Sequence, residues 1–76
     1  MVTSLTKMKL NEIGTVYSIG NGLGMAERIQ NMGVRIDKKI KKIAGHHNRG
    51  PQTVLVGHFK IAIGFGMSEK IIVEVE

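Results

Sequence analysis

One stretch of this 76-residue sequence carries a helical period, and it lies between Asn21 and Gly33. Met25, Ile29 and Met32 recur at the spacing that places side chains on one face of an α-helix. Asn21 is a residue type that caps helix N-termini, and Gly33 stands where a left-handed residue commonly ends a helix. A helix this short is marginal in water, so the remaining chain must supply a surface on which it packs.

The remaining chain has the pattern of short strands separated by turns. The strands predicted from β-branched content and alternation cover residues 15–19, 39–44, 53–56, 59–63 and 71–76. Alternation fails within residues 39–44, which predicts a bulge or a strong twist there. A small chain of this kind can protect its sheet edges by curling the sheet. We therefore expect a mainly β fold, a small partly open β-barrel of about five strands with one α-helix inserted after the first strand.

The length allows one domain, residues 1–76. Residues 1–9 are expected to be a loosely ordered lead-in, with Leu10 and Ile13 packing onto the body of the domain. The sequence has no cysteine, which fits a reducing compartment. It also lacks a signal-peptide core and any apolar run near the ~20 residues of a membrane helix. These features predict a cytoplasmic protein.

The positive charge is concentrated in one segment. Residues 35–49 carry six of the eleven Lys and Arg residues, against Asp37 as the one acidic residue there. Such a segment can be a solvated face, a docking surface for an acidic protein patch, or a nucleic-acid surface. Binding of unpaired bases on a stacking platform also needs exposed aromatic residues. The chain offers Tyr17, Phe59 and Phe65, and we expect the core to bury two of these three.

Sites for metal ions, nucleotides or catalysis have weak support in the sequence. His46, His47 and His58 are the weak metal candidates, and no Cys, Asp or Glu neighbours them, so adventitious or regulatory binding of iron or zinc is favoured over a built site. The glycines at positions 20, 22 and 24 do not match the dinucleotide fingerprint, because position 25 is Met and position 40 is Ile. No nucleophile or paired carboxylates suggest catalysis, so the sequence predicts a non-enzyme that requires no cofactor.

Several short motifs follow one another along the chain. They are Leu10-Asn-Glu-Ile-Gly14, Ala26-Glu-Arg-Ile-Gln-Asn-Met-Gly33, Gly50-Pro51, Phe59-Lys-Ile-Ala-Ile-Gly64 and Met67-Ser-Glu-Lys-Ile71. In this order the sequence resembles the FeoA family of ferrous iron transport accessory proteins from Leu10 to Val75. The most specific motif is Arg28-Ile-Gln-Asn-Met-Gly33. Where the family usually has Pro-Gly, this chain has Val34-Arg-Ile-Asp37-Lys38, which leaves the geometry of that turn open.

The resemblance implies an SH3-like barrel with a helix laid on it. It also implies a cytosolic accessory role in ferrous iron uptake, through protein–protein contacts with the GTPase-bearing part of a membrane iron transporter. Under this hypothesis we expect no nucleic-acid partner and no membrane insertion, apart from association through the transporter. The oligomeric state is left open, and a homo-oligomer is compatible with the sequence.

Two surfaces are the candidates for partner binding, namely the polar face of the helix and the basic segment that follows it. Their residues are Glu27, Arg28, Gln30, Arg35, Lys38, Lys39, Lys41 and Lys42. Charge reversal at Lys39, Lys41 and Lys42 is expected to weaken docking and leave the fold intact. Two alternatives stay open, a small basic RNA-binding barrel and a metal-responsive dimerising module that uses the histidines.

Overall fold

The computed structural model describes residues 1–20, 23–45 and 50–76. The elements are β1 (Val2–Ser4), a 3₁₀ turn (Leu5–Lys7), β2 (Ile13–Ile19), α1 (Leu23–Asn31), β3 (Lys39–Ala44), β4 (Gln52–Val56), β5 (Phe59–Ile63), α2 (Phe65–Ser68) and β6 (Ile71–Val75). The strands form one six-stranded antiparallel sheet in the order β1-β6-β2-β3-β4-β5. The sheet curls without closing, so the expectation of a mainly β, partly open barrel with one main helix is confirmed.

The additional strand comes from the N-terminal residues, where the expectation of a loose lead-in is wrong. β1 pairs with β6, with Thr3 opposite Val73. Leu5 and Met8 lie in the core, at 0% and 2% exposure. Leu10 and Ile13, which the sequence predicts to pack there, are 57% and 40% exposed instead. The first residues are therefore an edge strand and a core-forming turn, and α1 follows the second strand of the chain.

The end of α1 is fixed by a Schellman motif, as the position of Gly33 predicted. The Val34 N–H donates to the Ile29 carbonyl at 3.3 Å, and the Gly33 N–H donates to the Gln30 carbonyl at 3.0 Å. Gly33 has φ +107°. Ile29 and Val34, the two side chains that accompany such a motif, are both fully buried. The motif thus ends the helix and joins it to the core.

The turn that follows α1 lacks the family's Pro-Gly pair and places Asp37 at the position that requires a positive φ. The Lys38 N–H donates to the Arg35 carbonyl at 3.1 Å. Asp37 is the third residue of this turn and has φ +74°. A type II turn requires a positive φ at that position, which Asp tolerates better than most non-glycine residues. The Asp37 N–H then donates to the Val16 carbonyl at 2.9 Å and attaches the turn to β2.

The irregularity predicted for β3 is present, and it accompanies a buried lysine. The register with β4 shifts between Lys42 and Ala44. Before this bulge, Ile40 and Lys42 point inward and are each 1% exposed. The Lys42 Nζ donates to the carbonyls of Leu5 at 3.2 Å and Thr6 at 3.0 Å. Lys42 therefore holds the N-terminal turn against the barrel, and its assignment to the docking surface is wrong.

The electrostatic environment of Lys42 follows from this position. Burial lowers the pKa of its ammonium group, because a charge loses hydration in the interior, and the nearby Glu12 carboxylate opposes the shift. Two carbonyl acceptors stabilise the buried group. Reversing this charge would place a carboxylate against two carbonyl oxygens. Charge reversal at Lys42 is therefore expected to destabilise the fold, contrary to the expectation from the sequence.

No helix in the described parts of the chain is long and apolar enough to cross a membrane.

The Schellman motif can be tested with two glycine-to-alanine variants. Gly33→Ala forces a side chain into a positive-φ position and is expected to lower the free energy of unfolding by about 1–2 kcal/mol. Gly24→Ala is the control, because a Cβ at this α1 position meets nothing within 4 Å. This control is expected to raise stability by up to about 1 kcal/mol. Urea unfolding of both variants measures the difference, and equal stabilities would contradict the motif.

The buried ammonium can be tested with Lys42→Met, which keeps most of the apolar stem. Between its lowered pKa and the ordinary pKa of lysine, the unfolded chain binds more protons than the folded one. The free energy of unfolding of the wild type should therefore rise with pH through this window. Lys42→Met lacks this titration, so the stability difference between the two proteins should change with pH there. Urea unfolding from neutral to alkaline pH, with circular dichroism to verify folding, measures it. A constant difference would contradict the prediction.

Candidate functional site

The inner face of the β4–β5 hairpin continues from the core into solvent. Val54 lies opposite Ile61, and Val56 lies opposite Phe59. Because side chains two residues apart share one face of a strand, these four side chains form one apolar strip. Val54 is fully buried, Ile61 and Val56 are half-buried, and Phe59 is 74% exposed. The strip therefore reaches past the part of the core that the other elements cover.

The end of α1 and the start of β3 border this strip. A Cβ at Gly33 would lie 3.4 Å from Ile61 Cδ1, which shows how closely the helix end approaches the hairpin. The strip, the end of α1 and the start of β3 border an open groove of about 520 Å³, called the hairpin groove below. Its lining residues are Met32, Gly33, Lys38, Lys39, Val56, Gly57, His58, Phe59, Lys60 and Ile61.

The charges in the hairpin groove have one sign. Lys38, Lys39 and Lys60 are among its lining residues, and none of the lining residues is acidic. The Lys39 Nζ lies 3.1 Å from Glu76 Oε2, in an exposed ion pair. Within the described ranges of the chain, Lys38 and Lys60 form no ion pair. The groove thus combines an apolar floor with two lysines whose charge is not neutralised by a salt bridge.

The residues predicted for partner binding are divided by the structure into three groups. Lys38 and Lys39 line the hairpin groove. The second group lies outside the groove lining, at exposed or half-buried positions, and consists of Glu27, Arg28, Gln30, Arg35 and Lys41. Lys42 is buried, as described above. Phe59 and Lys60 were not among the residues predicted for partner binding. Their signal in the sequence is the Gly57-His58 turn, which places the residues after it at the tip of a hairpin.

The aromatic residues are more exposed than the sequence suggested. Tyr17 is 61% exposed and Phe59 is 74% exposed, while Phe65 is half-buried. The expectation that the core buries two of the three is therefore wrong. Tyr17 points to the outer face of β2 because its neighbour Val16, at 0% exposure, occupies the inner face.

The metal candidates stay untested. His58 is exposed and lines the hairpin groove. His46 and His47 lie outside the described residues. Among the residues that the structure describes, no three His, Cys, Asp or Glu side chains are grouped closely enough to hold a metal ion.

This chain is similar to a known domain family and to several solved structures. The FeoA domain model matches residues 3–75. A crystal structure of an iron uptake regulatory protein (FeoA) has a TM-score of 0.92 and 28% identity, over 100% of both chains. A zinc-complexed FeoA from Stenotrophomonas maltophilia has a TM-score of 0.74 and 18% identity, over 95% of this chain and 89% of that one. No curated protein matches the sequence.

The same fold also occurs within larger proteins. A manganese-dependent transcriptional repressor has a TM-score of 0.87 and 18% identity, over 99% of this chain and 42% of the repressor. At this identity the likeness shows the fold alone. The SH3-like fold that the family resemblance implied is confirmed by the FeoA structures. Since the family model covers nearly the whole sequence, the chain belongs to the FeoA domain family.

Proposed function

We propose that this protein is a cytoplasmic, non-catalytic accessory protein of ferrous iron uptake. It docks on the cytosolic GTPase-bearing part of a membrane iron transporter. Membership of the FeoA domain family over residues 3–75 is the observation that carries the proposal. One similar FeoA has been proposed as a bacterial ferrous iron transport activating factor, and another is described as an iron uptake regulatory protein. Both descriptions suit a module that acts on a transporter.

The chemistry of the hairpin groove supports binding rather than catalysis. Its lining residues contribute apolar side chains, three lysines and His58, without a carboxylate, hydroxyl or thiol. Such a set lacks the nucleophile and the paired acid and base that most hydrolytic sites need. Apolar contacts give affinity to a protein interface, and surrounding charges give orientation and association rate.

The basic surface adjoins the hairpin groove and is accessible to a partner. Arg35, Lys38 and Lys39 are exposed, and Lys41 is half-buried on β3. Lys39 and Lys41 lie on the outer face of the strand, opposite the face of Ile40 and Lys42. Among the described residues of this segment, the positive charge therefore remains at the surface except at Lys42.

RNA binding is a second candidate, and the exposure of Phe59 between lysines favours it. A base could stack on Phe59 while Lys38 and Lys60 contact phosphates. This hypothesis requires affinity that falls steeply with salt, because phosphate contacts release counterions. A labelled single-stranded oligouridylate titrated at low salt distinguishes the two functions. Absence of binding there would exclude RNA.

Docking is expected to depend on the exposed lysines. The triple variant Lys38→Glu, Lys39→Glu and Lys41→Glu should weaken binding to the transporter's cytosolic domain by roughly tenfold or more, since it replaces attraction by repulsion. The fold should survive, because the ion pair of Lys39 is exposed and such pairs contribute about 0–1 kcal/mol. Calorimetric titration measures binding, and uptake of radiolabelled ferrous iron by cells lacking the wild-type protein measures function.

The matched control is Lys7→Glu with Lys9→Glu, two exposed lysines of the N-terminal segment. This double variant should bind and support uptake like the wild type. If the triple variant does the same, the basic docking surface is wrong. If even the wild type fails to bind the transporter domain, the proposed function is wrong.

A further inference from the structure

We propose that the hairpin groove binds an extended, acidic segment of the partner protein whose apolar side chains enter the groove while its carboxylates contact Lys38 and Lys60. The inference deepens the proposed function and rests on it, because the partner that carries this segment is the transporter. Three features of the structure identify the segment: the charge of the groove, the position of β5 in the sheet, and the exposure of Phe59.

The charge of the groove selects an acidic occupant. Its charged lining residues are all lysines, and Lys39 already holds a carboxylate, that of Glu76. The carboxylate that pairs with Lys39 leaves Lys38 and Lys60 as the groove lysines without an ion pair among the described residues. A second copy of this chain is a poor occupant, because each copy carries a net charge of +5 and two copies repel each other.

The position of β5 selects an extended segment. β5 is the last strand of the sheet and pairs with β4 among the described residues, so its other edge offers backbone N–H and C=O groups. Phe59, Lys60 and Ile61 belong to this strand and also line the groove. A peptide added along such an edge makes main-chain hydrogen bonds while its alternate side chains enter the adjacent groove.

The exposure of Phe59 marks the anchor of the contact. Its ring is 74% exposed beside half-buried Val56 and Ile61. Large aromatic side chains next to apolar pockets commonly provide most of the affinity of an interface. A leucine or valine of the incoming segment would cover the exposed ring and complete the apolar strip.

The experiment uses a fluorescein-labelled peptide of roughly six residues, the usual length of a strand, that alternates glutamate with leucine and valine. Its affinity for the whole protein is measured by fluorescence anisotropy. Phe59→Ala and Lys60→Glu are each expected to weaken binding by roughly tenfold. Tyr17→Ala is the matched control for the aromatic change, because Tyr17 is exposed on a strand but does not line the groove. Lys7→Glu is the control for the charge change, and both controls should bind like the wild type.

Two further readouts test the chemistry and the geometry. A peptide with lysine in place of glutamate, and one with serine in place of the apolar residues, should both fail to bind. Hydrogen exchange at the β5 amides should slow when the acidic peptide is bound, as strand addition requires. Binding of the lysine peptide, equal affinities of Phe59→Ala and Tyr17→Ala, or stronger binding of oligouridylate than of the acidic peptide would overturn the inference.

The same variants separate this inference from the proposed function. If the transporter's cytosolic domain binds the wild type and Phe59→Ala equally well, docking stands and the groove is not its site. If the acidic peptide binds at the groove but the transporter domain does not bind at all, the proposed function fails while the chemistry of the groove stands.

Discussion

One nine-residue helix, with a 3₁₀ turn and the short α2, covers the inner face of a six-stranded sheet that does not close on itself. The Schellman motif at Gly33 ends the helix and buries Ile29 and Val34. The helix therefore covers the sheet only as far as Gly33. Beyond that place, the inner face of the β4–β5 hairpin reaches solvent at Phe59. The helix that stabilises the core therefore also sets the border of the hairpin groove.

A second constraint acts further along β3, where a charge is buried to hold the N-terminal turn. Lys42 occupies an inner position of β3 between apolar neighbours and satisfies its ammonium with two backbone carbonyls. A lysine can do this because its long apolar stem packs in the core while its end reaches polar atoms. The charge of the basic segment is consequently divided, with Lys42 serving stability and Lys38, Lys39 and Lys41 remaining at the surface.

This division is consistent with a small docking module. In the proposed docking, the hairpin groove would supply apolar area and the lysines around it would supply orientation. These lysines reduce stability little, because exposed charges interact weakly with the fold. A chain of this size has little core to spare for a deep active site. The fold can provide an open groove as a binding site without giving up buried apolar area, because no other element among the described residues covers that groove.

Local pattern in the sequence determined the elements and the family. The helical period of residues 21–33, the alternation of the later strands, the irregular β3 and the Gly57-His58 hairpin each depend on neighbouring residues, and the structure contains all of them within the residues it describes. The N-terminal strand, the burial of Lys42 and the exposure of Phe59 depended on partners distant in the chain, namely β6, the Leu5–Lys7 turn and the end of α1. Periodicity in the sequence shows that the two faces of a strand differ. Only the tertiary structure decided where the inner face becomes exposed to solvent, because the covered area depends on the lengths and positions of the elements packed against that face.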